Sequence, residues 1–261
     1  MAFVIDPTPY PEINALLREL LASVQAILGN HFVGMYVEGS LANGDFDQDS
    51  DVDFVVVTDE DISSEEFAAL HAMHARIAAM DSPWAIQLEG SYLSRHTLRR
   101  HDPAHMMHPN IERGRGEQLK LKLHDAGWVV HRAILCERGI TLVGPAPDTL
   151  IDPISPADLR QPMRGLLQIW SNEILAEPIW ISQRGGQSYV VLSFCRMLYT
   201  LQHSAIVSKR AAARWAQETL GPQWSPLIER AWDARHNPDA PATPEDVNET
   251  LGFIRFALTQ T

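Results

Sequence analysis

Two aspartates separated by one residue follow a polar loop and open an apolar run in the first quarter of the chain. The stretch 36–58 reads YVEGSLANGDFDQDSDVDFVVVT and contains Asp51 and Asp53. Alternate side chains of a β-strand share a face, so both carboxylates point the same way while Val52 points to the other side. Paired carboxylates of this kind bind hard divalent cations such as Mg²⁺. The spacing therefore predicts a metal site at the start of a strand.

A Gly-Ser pair precedes these carboxylates. Gly39 and Ser40 follow a short apolar segment at 31–38, which predicts a strand running into a tight turn. Backbone N–H groups at the start of a short helix bind phosphate groups well. The order of Gly-Ser, polar spacer and Asp-x-Asp therefore predicts a site that holds phosphates beside a metal.

A third carboxylate is expected on a neighbouring strand. The segment 84–93, WAIQLEGSYL, predicts a strand with Leu88 on its apolar face and Glu89 on the opposite face. Glu89 would serve either as a metal ligand or as a general base, and like charges from the two aspartates would raise its pKa. Glu38 is a weaker candidate, which we expect mainly to end its strand.

Composition narrows the class of partner. The chain has 261 residues, a formal net charge of −12, 45% hydrophobic and 21% charged residues. An acidic chain without a basic stripe argues against nucleic-acid binding and favours a small cationic ligand. No signal peptide or membrane-spanning run is evident, and Cys136 and Cys195 are expected to be buried thiols in a reducing compartment. We expect a cytoplasmic monomer.

The element pattern changes midway along the chain. The first half alternates predicted strands with amphipathic helices, although 94–118 lacks clear periodicity and is expected to be a functional loop. A proline-rich stretch at 144–156 marks the change. The fold class is therefore α+β, with a mixed β-sheet domain at 1–150 followed by an α-helical bundle at 151–261. Its helices are predicted at 156–176, 187–204, 208–219, 224–235 and 243–259.

Motifs in the second half of the chain indicate a protein family. LVGPAPDTLIDPISPADL is followed by a Leu-x-x-x-Arg-x-x-Tyr helix and a Ser-Lys-x-x-Ala-x-x-Trp helix. Together with the Gly-Ser and Asp-x-Asp motifs, they resemble the aminoglycoside adenylyltransferases of the streptomycin/spectinomycin type. That family lies within the nucleotidyltransferase superfamily, whose catalytic core is of the DNA polymerase β type. The resemblance implies that a helical domain closes the substrate cleft over ATP and drug.

The resemblance also implies roles for particular residues. Asp51 and Asp53 match the metal ligands, and Glu89 matches the catalytic base. Lys209 matches a lysine that reaches the ATP phosphates. Arg196 either helps to hold the nucleotide or pairs with a carboxylate. Gly39 and Ser40 belong to the cofactor-binding set.

The acceptor site departs from the family pattern. In the family, acidic side chains and a tryptophan from the segment before the Leu-x-x-x-Arg helix bind the cationic drug. Here the segment 179–188 reads IWISQRGGQS, which contains no Asp or Glu and adds Arg184. Trp180 and Trp170 are the candidates for stacking on the acceptor.

The sequence thus predicts Mg²⁺-dependent transfer of AMP from ATP to a hydroxyl of a small cationic acceptor such as an aminoglycoside, with release of pyrophosphate. Two alternatives stay open. One is a protein adenylyltransferase that acts on a partner, as antitoxin-like enzymes do, and the other is a non-catalytic nucleotide-binding protein. Five histidines between residues 101 and 131 are expected to line the substrate entrance or face solvent rather than bind zinc; they are His101, His105, His108, His124 and His131.

Overall fold

A computed structural model describes residues 6–103 and 105–260 of the chain. The chain divides into two compact units, Met1–Pro153 and Ile154–Thr261. The sequence placed this division after residue 150. The α+β fold class is confirmed, with a mixed sheet and helices in the first unit and helices in the second.

The first unit contains a six-stranded sheet in the order β5-β4-β3-β2-β1-β6. Only β2 and β3 pair in parallel among these strands, and the other neighbours are antiparallel. The strands are β1 Phe32–Val37, β2 Val52–Thr58, β3 Leu88–Ser94, β4 Met107–Ile111, β5 Lys120–Leu123 and β6 Ile140–Val143.

Within the described part of the first unit, five α-helices accompany the sheet. The longest, α1, has a continuous buried face of leucine, isoleucine and valine, and α3 begins with a capping box in which Ser63 and Glu66 each bind the other's backbone N–H. Such a box stabilises a helix start by about 1 kcal/mol. The helices are α1 Pro11–Leu28, α2 Gly39–Asn43, α3 Ser64–Ala78, α4 Arg95–Arg99 and α5 Trp128–Arg138.

One face of the sheet belongs to the hydrophobic core. Val52, Phe54 and Val56 alternate along β2 and pack in one cluster with Leu88 and Tyr92 of β3, together with residues of α1 and α3. Burial of each such side chain contributes about 1.5–3 kcal/mol. This fixes the register of β2, because a slip of one residue would turn Asp53 into the core. On the opposite face, Asp53 and Glu89 lie at the start of the strands, ahead of the buried Val55, Val57 and Leu93.

Two predictions about the first unit were wrong. The third strand begins at Leu88 rather than residue 84, because Ala85–Gln87 forms a 3₁₀ turn in which Gln87 N–H donates to Trp84 C=O at 3.0 Å. The segment 94–118 contains α4 and β4, and the proline in β4 hides the strand pattern. The strand β6, directly before the proline-rich stretch 144–156, was not predicted.

The second unit is helical, and its predicted elements are close to those observed. The helices are α6 Pro156–Ala176, α7 Arg184–His203, α8 Lys209–Thr219, α9 Ser225–Asp233 and α10 Pro244–Leu258. Capping boxes at Ser155 and Thr243 begin α6 and α10.

The two cysteines differ. Cys195 is buried, as predicted, whereas Cys136 is exposed near the end of α5, so the prediction of a buried thiol was wrong there. Within 6–103 and 105–260, no helix is both long and apolar enough to cross a bilayer.

Candidate active site

Three carboxylates meet where β2 and β3 begin. Asp53 lies directly beside Glu89 in the parallel register, and Asp51 immediately precedes β2. Each of the three offers one oxygen, and these oxygens lie within 4.8 Å of one another. Parallel pairing explains the meeting, because equivalent positions of both strands reach the same edge of the sheet. The structure therefore brings together the three residues that the sequence predicted as a set.

The pKa of Glu89 lies above its ordinary value. Burial raises its pKa first, and the neighbouring charge of Asp51 raises it further. Lys122 and Arg113 act in the opposite direction but do not cancel these effects. A buried carboxyl group beside a second carboxylate holds its proton more tightly, which is typical of catalytic acids and bases.

Gly39 lies against Asp53. Its φ is +64°, and a Cβ atom there would overlap Oδ2 of Asp53 and lie 2.6 Å from Cγ. Both features require glycine, because a side chain would be strained and would also displace the carboxylate. Glu38 N–H donates to Asp53 C=O at 3.1 Å and joins the two motifs through the backbone.

Ser40 has an unusual hydroxyl. Its Oγ is buried and has no hydrogen-bond partner among the described residues. A buried hydroxyl without a partner is costly unless a ligand completes it. Ser40 follows Gly39 in α2, where the sequence predicted phosphate binding.

A side-chain turn positions Asp51. Asp47 Oδ1 accepts from the backbone N–H of Asp49 at 3.1 Å and from Ser50 Oγ at 2.9 Å. The Ser50 Oγ in turn accepts from the Asp47 N–H at 3.0 Å. These bonds close the loop that leads into β2, as short polar side chains do in turns.

Sequence reasoning missed Arg113. Its Nη1 lies 3.8 Å from Asp51 Oδ2 and donates to Asp49 C=O at 3.1 Å. It lies in the stretch that showed no periodicity, so nothing linked it to the carboxylates. Several basic residues in a long polar segment were the one available signal.

Glu38 has more than the strand-ending role expected of it. It is buried, and its Oε1 lies 2.8 Å from His131 Nδ1, while Oε2 has no hydrogen-bond partner among the described residues. His131 is half-exposed on α5 and packs against Trp128, with ring centroids 4.6 Å apart. The pair lies directly before Gly39.

The histidine expectation was wrong for two residues. His108 and His124 are buried, and burial lowers the pKa of His108 to about 4 and that of His124 to about 2. His124 Nε2 accepts from Arg132 at 2.6 Å, and His108 Nε2 lies 3.0 Å from Ser91 Oγ. Both are therefore neutral core residues and do not line an entrance.

The predicted nucleotide residues of the second unit lie on α7 and α8. Lys209 is the first residue of α8, after Ser208, whose side chain caps the helix. Its Nζ lies 6.0 Å from the ring centroid of Tyr189. Arg196 lies within α7. Their roles towards the nucleotide stay predictions.

The segment 179–188 is not an open loop. Arg184 begins α7, and its N–H donates to Ala240 C=O at 2.9 Å, while Gly185 N–H donates to Pro238 C=O at 2.8 Å. Arg184 Nη2 also lies 3.7 Å from Asp246 Oδ2. The added arginine is therefore paired inside the helical unit.

The two tryptophans of the predicted acceptor set differ in exposure. Trp180 is 70% exposed, in a 3₁₀ turn at Pro178–Ile181. Trp170, on α6, stacks on Tyr189 with ring centroids 5.8 Å apart. Trp180 thus presents the freer ring face of the two.

Two family models match the chain. Residues 17–81 match the nucleotidyltransferase domain, and residues 149–260 match the C-terminal domain of aminoglycoside adenylyltransferase. The first match includes Asp51 and Asp53, and the second includes α6 through α10.

Relatives of known activity have similar sequences. An aminoglycoside (3'') (9) adenylyltransferase of Escherichia coli is 28% identical over 127 residues, which are 48% of this chain and 46% of that protein. The chain thus spans about half the length of this relative. A spectinomycin 9-adenylyltransferase of Staphylococcus aureus is 24% identical over 220 residues, covering 82% of this chain and 81% of the relative.

The fold has a solved counterpart. A spectinomycin adenyltransferase from Enterococcus faecialis, crystallised with ATP and spectinomycin, superposes with a TM-score of 0.72 at 17% identity. The match covers 94% of this chain and 98% of that one.

The sheet and the carboxylate cluster lie in a unit that matches a nucleotidyltransferase domain along residues 17–81, and the helical unit matches the C-terminal domain of aminoglycoside adenylyltransferase. The resemblance to the aminoglycoside adenylyltransferase family, which the sequence motifs predicted, is confirmed by these two matches.

Proposed function

We propose that this protein transfers AMP from ATP to a hydroxyl group of a small cationic acceptor of the aminoglycoside class, with Mg²⁺ as cofactor and pyrophosphate as the second product. The observation that carries the proposal is the cluster of Asp51, Asp53 and Glu89, whose carboxylate oxygens lie within 4.8 Å of one another. It lies beside the Gly-Ser motif, in a chain that matches both domains of the family.

The three carboxylates fit a magnesium site. Oxygen ligands from Asp and Glu are those that Mg²⁺ prefers, and the pKa of Glu89 is raised first by burial and then by the negative charge of Asp51, which a bound cation would offset. Asp51 and Asp53 would hold the ion. When bound, Mg²⁺ offsets the negative charge that develops on the phosphate oxygens during transfer.

Glu89 has two possible roles in this reaction. As a general base, Glu89 takes the proton of the acceptor hydroxyl with one of its carboxylate oxygens. The hydroxyl oxygen of the acceptor attacks the α-phosphorus, and pyrophosphate leaves. A raised pKa suits this task, because a base works best when its pKa approaches the working pH. As a third ligand, Glu89 would instead hold the metal with Asp51 and Asp53.

Other residues would bind the nucleotide. The buried Ser40 hydroxyl and the backbone at Gly39 would contact a phosphate group of ATP, a role supported by the lack of a partner for this hydroxyl among the described residues. Lys209 and Arg196 are proposed to contact the phosphates or the nucleoside, as the family resemblance implies. For the acceptor, the net charge of −12 favours a cation, and the exposed ring of Trp180 offers a stacking surface.

The proposal is tested by following pyrophosphate release. Purified protein is incubated with ATP and Mg²⁺ and a panel of aminoglycosides that includes streptomycin and spectinomycin. Release that depends on one of these acceptors and disappears without Mg²⁺ supports the proposal. If labelled ATP and cell lysate place AMP on a protein band while no drug stimulates release, the acceptor is a protein and the proposal is wrong.

A further inference from the structure

A second group of metal-ligating side chains lies at the opposite end of the parallel strand pair. In the register of β2 and β3, Thr58 pairs with Ser94, and both strands end there. Asp61 follows β2, and His96 lies in α4 just after β3. At about 3.3 Å per residue, the five steps from Asp53 to Thr58 separate the two strand ends by roughly 17 Å.

His105 joins Asp61 and His96 at this end of the sheet. Each of the three offers one ligand atom, and these atoms lie within 4.8 Å of one another. Asp61 Oδ1 and His96 Nε2 are 3.6 Å apart, and the rings of His96 and His105 have centroids 4.3 Å apart. Zinc bonds of about 2.0–2.1 Å in tetrahedral geometry place ligand atoms roughly 3.3–3.4 Å apart. The group is therefore close to zinc-binding geometry, within the reach of small side-chain rotations.

Neighbouring groups orient the ligands. Asp102 Oδ2 lies 3.0 Å from His105 Nδ1, so this imidazole donates Nδ1–H to a carboxylate and keeps the lone pair of Nε2 for a metal. Metal-binding histidines commonly have such a carboxylate partner. Ser94 Oγ donates to Asp61 Oδ1 at 2.7 Å and holds that carboxylate in place.

The surrounding charges allow a cation. Arg95, which directly precedes His96, is bound to Asp59 with Nε and Oδ1 2.6 Å apart, so its charge is compensated. The side chain of Asp61 is 64% exposed, and those of His96 and His105 are 37% and 41% exposed, so an ion can enter from solvent. Two imidazoles and a carboxylate favour zinc over magnesium, which prefers oxygen ligands.

We propose that Asp61, His96 and His105 bind one zinc-class divalent transition-metal ion at a site separate from the carboxylates of the catalytic centre. The bound ion joins the connection after β2, the helix α4 and the segment before β4. Three protein ligands leave the fourth position open to water or a small ligand. A cavity of about 300 Å³ is lined in part by Asp61, Ser94 and Thr97.

The test is a zinc titration of the full chain, stripped with a chelator and kept in excess Mg²⁺ without ATP. Stoichiometry and affinity are measured by competition with a chromophoric zinc chelator. We expect one zinc ion per chain with a dissociation constant of micromolar or below and a higher melting temperature. The double substitution H96Q/H105Q should weaken binding by at least tenfold, and Asp102→Asn by about 10–100-fold, as for other carboxylate partners of metal-binding histidines.

Two control variants locate the ion. His101→Gln removes an exposed histidine of the same segment, and Asp53→Asn removes a catalytic carboxylate; both should bind zinc as the wild type does. Asp61→Asn serves as an independent ligand variant if the double variant does not fold. The proposal is wrong if the chain binds no stoichiometric zinc, if H96Q/H105Q and Asp61→Asn both bind it normally, or if Asp53→Asn abolishes binding. None of these outcomes depends on adenylyl transfer, so the two proposals can fail separately.

Discussion

The Cα atom of Gly39 lies so close to Asp53 that a Cβ atom there would overlap Oδ2 and lie 2.6 Å from Cγ. The glycine of the Gly-Ser motif therefore has a second role besides the proposed exposure of backbone N–H groups to a phosphate. It also leaves the space in which a proposed metal ligand is held. The two halves of the sequence motif are joined by this contact.

Substitution of Gly39 should therefore impair the carboxylate site. Gly39→Ala is expected to displace the Asp53 carboxylate, and a misplacement of this size lowers kcat by about 10²-fold. Steady-state kinetics with ATP and a responsive acceptor measures the effect.

Gly44→Ala is the matched control, because Gly44 also has a positive φ, +75°, but has no atoms within 4 Å of its Cβ position. It should cost about 1 kcal/mol of stability and leave kcat unchanged. Equal loss of activity in both variants would show that backbone strain alone is responsible.

Removal of the Glu89 charge should stabilise the fold. The pKa of Glu89 is raised above its ordinary value of 4.5, chiefly by burial and then by Asp51. Its contribution to stability is therefore fully present below about pH 4.5 and is lost as pH rises through the folded-state pKa. At neutral pH, Glu89→Gln should raise the melting temperature, by about 2–4 °C per kcal/mol for a chain of this size, while activity is lost.

Glu112→Gln is the control of opposite sign. The pKa of Glu112 is lowered, mainly by its hydrogen bond to Lys120 and also by Lys122, against a smaller effect of burial. Its stabilising contribution is present at neutral pH and is lost as pH falls, so Glu112→Gln should lower the neutral-pH melting temperature slightly. A neutral-pH melting temperature of Glu89→Gln at or below that of the wild type contradicts the account of Glu89.

Arg113 should tune the pH dependence of the reaction. Its charge lowers the pKa of Glu89, so Arg113→Ala should raise that pKa further and move the acid limb of the kcat/KM profile to higher pH. High salt should shrink the difference, because Arg113 is half-exposed and its charge is screened. Arg115→Ala, an exposed arginine of the same segment, should leave the profile unchanged. An unshifted profile in Arg113→Ala would show that ionisation of Glu89 does not limit the acid side.

The position of Trp180 should affect acceptor binding. A Cβ atom at Gly186 would overlap the backbone carbonyl oxygen of Trp180 and lie 2.8 Å from its carbon, so Gly186→Ala must shift the turn that carries this ring. We expect a higher KM for the acceptor with little change in KM for ATP. Gly165→Ala, at an exposed helix position with open space, should instead gain about 1 kcal/mol of stability and keep both constants. A change in KM for ATP alone would place Trp180 at the nucleotide.

The three carboxylates could be predicted from the sequence because the side-chain alternation that identifies them is a local feature of each strand. Alternation along β2 separates Asp51 and Asp53 from the core residues, and the same alternation within Leu88–Ser94 places Glu89. Arg113 was missed because its position depends on the pairing of β4 with β3 and of β5 with β4, which are long-range features. The burial of His124 likewise depends on Arg132, a residue of a different element, so no spacing could reveal it.

Mass spectrometry of the acceptor is the most direct test of whether the protein transfers AMP from ATP to an aminoglycoside. Streptomycin and spectinomycin are incubated separately with ATP, Mg²⁺ and either the wild-type protein or Asp53→Ala. The account predicts one AMP group added to a drug hydroxyl by the wild type, and a rate lower by about 10³-fold or more in Asp53→Ala, since loss of a metal ligand removes several kcal/mol of transition-state stabilisation. An unmodified acceptor with the wild type across the aminoglycoside panel, or equal product with Asp53→Ala, would contradict it.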